Sequence, residues 1–109
     1  MNYVVLDSFK ADYKRLSRRE QGLFKKALPA FVAACDRYAA DPSAAWPASL
    51  RVRNVERAPG IWEMTWSFSG PDGRATFEWV ELDGQLAVRW RRIGGHEIFK
   101  TPIARDSRT

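Results

Sequence analysis

The sequence predicts an α+β fold, with a short strand and two helices placed before a mainly antiparallel sheet. Apolar residues recur at helical spacing between Phe9 and Tyr38, and alternation of apolar and polar residues takes over from about residue 50. Turn residues divide this second half into short strands joined as consecutive hairpins, at 58–60, 70–73 and 83–84. The length of 109 residues suits one domain that spans residues 1–109.

A β-prone run at residues 2–6 is followed by a short amphipathic helix. Phe9, Tyr13 and Leu16 recur at helical spacing, and the positions between them are mostly charged. The Asp-Ser pair at residues 7–8 offers side-chain oxygens that suit the N-terminal cap of this helix. We therefore expect a first strand and then a helix of about two turns.

The second helix is the main packing element. Ser17 and Glu20 form a capping box that starts it, Pro29 is expected to kink or restart it, and Asp41 before Pro42 ends it. Its apolar stripe is wide enough to cover one face of a sheet and consists of Leu23, Phe24, Ala27, Leu28, Phe31, Val32, Cys35 and Tyr38.

Four strands fill the remainder, so the sheet has four or five strands including the N-terminal one. They are expected at residues 50–56, 61–69, 74–80 and 86–93. In each strand the apolar residues alternate inward, towards the two helices. The outward positions carry five arginines against two carboxylates: Arg51, Arg53, Arg74, Arg89 and Arg91 against Glu63 and Glu78.

The charge of the chain indicates a polyanionic partner. Its formal net charge is +5 and its pI is about 9.8, and the one-sided arginine count predicts a phosphate-binding groove on a solvated sheet face. The alternative is a solvated face with local ion pairs, such as Arg74 with Glu78. Cys35 and His96 are single, so we expect no disulfide, no metal site and no small-molecule cofactor. Without an apolar run of ~20 residues or a signal-peptide pattern, we expect a soluble, cytoplasmic protein with no membrane partner.

Four short motifs resemble the RelE/ParE toxin superfamily, and most of all its HigB-like branch. They follow in the order typical of these toxins: residues 50–53 (LRVR), 60–63 (GIWE), 73–77 (GRATF) and 90–99 (WRRIGGHEIF). The resemblance spans nearly the whole chain. It implies the toxin of a bacterial type II toxin–antitoxin pair, most often a metal-independent endoribonuclease that cuts mRNA in the ribosome and is held inactive by an acidic antitoxin.

The resemblance also implies roles for individual residues. Arg74 matches an arginine that contacts the scissile phosphate, His96 matches a position that acts on the leaving group, and Arg51 matches a basic residue on the second strand. RelE has lysines where this chain has Glu63 and Thr65, so the resemblance assigns no general base. The other arginines of the outward face, Arg53, Arg89 and Arg91, are expected to bind RNA phosphates.

Cleavage by attack of an RNA 2′-OH needs a base, cations around the phosphate and an acid for the leaving oxygen. Arg74 suits the phosphate, and His96 has the side chain whose ordinary pKa suits proton transfer near neutral pH. Glu63 is the first candidate for the base, with Glu78 and Glu97 after it. Two other functions stay open: a ParE-like toxin that inhibits DNA gyrase without cutting RNA, and a non-catalytic RNA-binding domain.

Overall fold

A computed structural model describes residues 1–56, 58–66 and 73–95 of the chain. Two helices pack against a five-stranded sheet, so the α+β architecture predicted from the sequence is confirmed. The elements are β1 (Asn2–Val5), α1 (Asp7–Arg15), α2 (Arg18–Ala40), a 3-10 helix (Ala48–Leu50), β2 (Arg53–Asn54), β3 (Trp62–Trp66), β4 (Gly73–Leu82) and β5 (Gln85–Gly94).

The sheet has the strand order β1-β5-β4-β3-β2. Strand β1 runs parallel to β5, whereas the three other pairings are antiparallel. Asp83 and Gly84 join β4 to β5 with positive φ values of 51° and 77°, the backbone of a tight two-residue hairpin turn. The last two strands therefore form the hairpin that the sequence predicts, and β5 lies between β4 and the N-terminal strand.

The capping box at the start of α2 is present as predicted. The Ser17 hydroxyl accepts a hydrogen bond from the Glu20 N–H at 3.1 Å, and the Glu20 carboxylate accepts one from the Ser17 N–H at 2.9 Å. Asp41 is the C-cap, also as predicted. The helix runs on through Pro29 without restarting. Pro29 and Lys25 are both exposed, and Pro29 removes the helical donor of the Lys25 carbonyl.

The N-terminus of α1 differs from the sequence prediction. Its N-cap residue is Leu6, which makes no side-chain cap hydrogen bond. The Ser8 hydroxyl donates instead to the carbonyl of Arg91 on β5, at 2.7 Å. The polar pair at residues 7–8 therefore does not cap the helix, and Ser8 ties α1 to the sheet.

The core lies between the helices and one face of the sheet. Phe31 of α2 contacts Trp90 and Phe77, with ring centroids 5.0 and 5.1 Å apart, and Phe24 lies 5.2 Å from Trp66. These aromatic side chains are buried, as the periodicity of α2 and the alternation of the strands predict. One face of the sheet therefore packs against the two helices.

The second strand is much shorter than the predicted run from residue 50 to residue 56. Residues Ala48–Leu50 form a 3-10 helix, and Arg51 after it has a φ of 42° in the left-handed region. This conformation cannot continue a strand, so β2 contains only Arg53 and Asn54. Leu50 is nonetheless buried and Val52 packs against the core, so the inward positions of this segment are as predicted.

Candidate nucleic-acid interface

The sheet face that points away from the helices is polar, and we call it the arginine face. Its residues alternate along β3, β4 and β5 with the buried aromatic and aliphatic residues of the core. Register pairs join them across the strands, for example Thr65 with Arg74 and Glu78 with Arg89. The described members of the arginine face are Arg53, Glu63, Thr65, Arg74, Thr76, Glu78, Arg89 and Arg91.

The arginine face is less solvated than the sequence predicts. Glu63, Thr65, Thr76 and Arg91 are buried, although alternation places them on the outward side. The Arg53 side chain is 72% exposed, whereas that of Arg91 is 7% exposed. The face therefore contains several buried polar residues, and only some of its arginines are exposed to solvent.

Arg53 and Glu63 form an ion pair across β2 and β3. Nε of Arg53 donates to Oε1 of Glu63 at 2.6 Å, and the carboxylate side chain is only 5% exposed. This hydrogen bond and the charge of Glu63 raise the pKa of Arg53 above its ordinary value. A guanidinium has five N–H donors, and the bond to Glu63 uses the one at Nε. Glu63 thus anchors the stem of an arginine whose side chain faces solvent.

Glu78 holds two further arginines on a single carboxylate oxygen. Oε2 of Glu78 accepts hydrogen bonds from Nε of Arg89 and from Nη1 of Arg91, both at 2.9 Å. Nη2 of Arg89 also lies 2.8 Å from this oxygen. Local ion pairs are thus present on the arginine face, as one of the two sequence hypotheses expected. The cluster still carries more positive than negative charge.

Arg74, near the start of β4, lies beside the end of β5. Its register partners are Thr65 on β3 and Gly94 on β5, and its side chain is half-buried. The sequence reaches His96 two positions after Gly94, but His96 and Glu97 lie outside the described residues. The structure therefore places Arg74, which the family resemblance matched to the scissile phosphate, beside Gly94.

Arg51 is exposed but does not belong to a strand. It is the C-cap of the 3-10 helix, and its left-handed backbone prevents strand alternation from assigning it to a sheet face. It stands two residues before Arg53 in the sequence. Arg51 is thus an exposed cation next to the arginine face. The end of the 3-10 helix places it there, whereas the sequence predicted strand alternation.

Sequence reasoning missed a β-bulge in β5. Phe77 pairs with Trp90, but the preceding residue Thr76 pairs with Arg92, so Arg91 is an extra residue on β5. The arginine after the bulge, Arg92, turns to α1. It binds Asp12, which is buried although the helix pattern placed it among the charged, outward positions.

A separate apolar groove lies on the helix side of the sheet, between β1, α1 and α2. Its volume is about 460 Å³. The aromatic residues Phe9, Tyr13 and Phe24 line it, together with Tyr3, which is 65% exposed. Three lysines also line this helix-side groove, namely Lys10, Lys14 and Lys25. An apolar channel with a cationic border suits an amphipathic, acidic segment.

Within residues 1–56, 58–66 and 73–95, no helix is long and apolar enough to cross a membrane. In the same part of the chain, His, Cys, Asp and Glu side chains form no group of three or more that could hold a metal ion.

No protein-family model matches the sequence, and no curated protein matches it either. Two solved structures match over most of their length. A double mutant of the E. coli toxin RelE in the free state has a TM-score of 0.54 and 12% sequence identity, and the match covers 95% of each chain. A YoeB/ParE toxin from Agrobacterium tumefaciens has a TM-score of 0.51 and 12% identity, over 88% of this chain and 99% of that one.

The chain has the fold of the RelE and YoeB/ParE toxins. The fold suggested by the four sequence motifs is thereby confirmed. In this RelE-like fold the arginine face and the helix-side groove lie on opposite sides of one sheet.

Proposed function

We propose that this RelE-like protein is the toxin of a type II toxin–antitoxin pair and cuts mRNA on the ribosome in the cytoplasm. The observation that carries the proposal is the arginine face on this fold: five arginines on or beside one sheet face, against the two carboxylates Glu63 and Glu78. Guanidinium groups bind phosphates with two parallel hydrogen bonds, which fits an RNA backbone.

The proposed reaction is attack of an RNA 2′-OH on the adjacent phosphate, without a metal ion. Arg74 neutralises the charge that develops on the phosphate, because it lies on the arginine face between β3 and the end of β5, the strand that leads to His96. Arg51, Arg53 and Arg89 bind neighbouring phosphates. Arg91 is buried on Glu78, and we assign it to holding this cluster in place.

Glu63 and His96 are the proposed proton carriers. Glu63 accepts the proton of the 2′-OH as general base, and His96 donates one to the departing 5′-oxygen. The ion pair with Arg53 holds the Glu63 carboxylate in a fixed orientation under the bound RNA. The role of His96 is an expectation from sequence.

Inducible expression in a bacterium tests the proposal. Transcript ends are mapped and DNA topology is followed in the same culture, with the Arg74→Ala variant as the matched control. We expect growth arrest with new mRNA 5′ ends for the natural chain and none for the variant. Altered DNA supercoiling with intact transcripts would instead support the gyrase-directed function, and arrest with neither effect would contradict both.

The partner that restrains such a toxin is an acidic polypeptide, and we propose that a segment of it packs in the helix-side groove. The groove offers an apolar floor around Phe9 and Phe24, and Lys10, Lys14 and Lys25 supply positive charge at its border. A partner with apolar residues flanked by Asp or Glu matches both features. A segment bound in this groove leaves the arginine face uncovered. The arginine face is then regulated indirectly or by another part of the same partner.

A further inference from the structure

We propose that Asp12 is a positioning residue for the arginine face: its carboxylate, on α1, holds the β5 bulge that places Arg91. The Asp12 carboxylate contacts Arg92 and the backbone of Ile93. It acts through the backbone of β5. The catalytic consequence rests on the proposed function, whereas the structural consequence can be tested without it.

A bulge interrupts the regular ladder of a sheet, so its backbone groups need other partners. Two of them are satisfied by hydroxyl groups. The Ser8 hydroxyl donates to the carbonyl of Arg91 at 2.7 Å, and the N–H of Arg92 donates to the Thr76 hydroxyl at 3.1 Å. These contacts come from α1 on one side and from β4 on the other, so the bulge is held from both edges.

Asp12 satisfies the third group and adds a charge. Its Oδ2 accepts the N–H of Ile93 at 3.1 Å. The same carboxylate receives Nε of Arg92 at 2.5 Å and Nη2 at 3.1 Å, a two-pronged ion pair whose members are 6% and 15% exposed. Arg15 approaches it at 3.5 Å. Among these contacts only the bond to Ile93 fixes the backbone directly.

The bulge determines which side chains face the arginine cluster. Because one extra residue separates Trp90 from Ile93 in register, both side chains enter the core, and Arg91 remains on the opposite face, where it binds Glu78. A change of register by one residue moves each following side chain to the other face of a sheet. Loosening the bulge should therefore release Arg91 from Glu78, which also holds Arg89.

The competing explanation is that Asp12 and Arg92 form an ion pair that only stabilises the fold. The two explanations differ in what happens to a variant that is still folded. If Asp12 positions the bulge, Asp12→Ala should change the environment of Arg91 and lower turnover, whereas Asp12→Asn should restore much of both, because its amide oxygen can still accept the Ile93 N–H. If Asp12 is merely stabilising, neither effect should exceed that of a distant variant of equal stability.

The experiment compares Asp12→Ala, Asp12→Asn and the control Ala27→Gly, which destabilises α2 away from the bulge. Urea unfolding identifies conditions in which each variant is more than about 99% folded. NMR then measures hydrogen exchange of the Ile93 and Arg92 amides and the Nε–H signal of Arg91. Cleavage of mRNA by each variant on ribosomes gives kcat and KM separately.

We expect Asp12→Ala to speed exchange at Ile93 by at least 10-fold over Ala27→Gly, to shift the Arg91 signal, and to lower kcat by about 10- to 100-fold with KM within threefold. Asp12→Asn should keep kcat within fivefold of the natural chain. If Asp12→Ala does not fold, Ser8→Ala serves instead, with a smaller loss in kcat of about three- to tenfold.

Unchanged exchange and an unchanged Arg91 signal would overturn the positioning role, whatever the kinetics. A kcat equal to that of Ala27→Gly despite a released bulge would overturn its catalytic part. If the natural chain itself cuts no RNA, the proposed function fails, but the NMR comparison still decides whether Asp12 places Arg91.

Discussion

Nε of Arg53 lies 2.6 Å from Oε1 of Glu63, so the most exposed arginine of the arginine face is anchored on a buried carboxylate. Glu63 has two proposed roles that depend on this one contact. Glu63 is the proposed general base, and it is also the group that holds the Arg53 side chain. The structure therefore makes the two roles separable by substitution.

Replacing Glu63 with Gln should lower the rate of RNA cleavage by roughly 10²- to 10⁴-fold, the range for a lost proton acceptor. Single-turnover cleavage on ribosomes measures this rate, and RNA binding is measured alongside it. Glu81→Gln, at the exposed end of β4, is the matched control. A rate close to that of the control, with weaker RNA binding, would leave Glu63 only the task of orienting Arg53.

Single replacement of Arg51, Arg53 or Arg74 by Ala should weaken RNA binding and reduce its salt dependence. Each lost phosphate contact removes about 0.7 from the slope of log K against log salt for single-stranded RNA. Titrations at several salt concentrations give the slope. Arg18→Ala, at the start of α2, is the control and should leave it unchanged. Equal slopes for all four variants would mean that RNA binds elsewhere.

His96→Gln should reduce the cleavage rate by roughly 10²- to 10⁴-fold and leave RNA affinity nearly intact, because a general acid is lost but no phosphate ligand. A substrate with sulfur in place of the leaving oxygen should restore the rate, since a thiolate departs without a proton. Cleavage of both substrates by the variant identifies the role. Wild-type-like cleavage of the oxygen substrate would remove His96 from the reaction, and loss of binding would make it a phosphate ligand.

Charge reversal in the helix-side groove should weaken the binding of the acidic partner. The double variant Lys10→Glu/Lys14→Glu should lower the association rate of the polypeptide encoded beside the gene by about 10-fold or more, with the largest effect at low salt. Surface plasmon resonance measures the rate at several salt concentrations. Lys26→Glu, on α2 but not among the groove residues, is the control. An equal loss in the control would place the partner outside the groove.

The thiol of Cys35 should be unreactive in the folded protein. Burial, with a smaller contribution from the charge of Asp36, raises the pKa of this thiol from 9.0 to about 12. Labelling at pH 8 should proceed in urea but be slowed at least 100-fold without it. Because the fold favours the neutral thiol, the contribution of this group to the free energy of unfolding is fully present below pH 9.0 and is lost as the pH rises towards about 12. Rapid labelling of the native protein would contradict the closed packing around α2.

The layers of the fold could be predicted because each depends on local periodicity. The capping box at Ser17, the stripe of α2 and the hairpin turn at Asp83 all involve residues that are close in sequence. The sequence left a kink or a restart at Pro29 open, and α2 continues through Pro29 without restarting. A local pattern does not decide between the two, because the outcome depends on how the surrounding structure satisfies the carbonyl that loses its helical donor.

The details of the candidate site depend on contacts between residues that are far apart in sequence, so they were harder to predict. Asp12 looks like a charged surface residue in its own helix, and its partners Arg92 and Ile93 lie 80 and 81 positions away. The bulge did leave a signal, since Trp90 and Ile93 are apolar residues three positions apart where strict alternation requires two or four. The burial of Glu63 and Thr65 left none, because alternation assigns a face but not its depth.

The parallel pairing of β1 with β5 also governs when the sheet is completed during synthesis of the chain. The first strand and α1 leave the ribosome early, but the strand they bind is among the last described parts of the chain to be made. Closing so long a loop is slow compared with forming the β4–β5 hairpin. A nascent chain therefore carries Arg53 and Arg74 before β5 has been made, and the arginine face is incomplete until β5 emerges and pairs with β1.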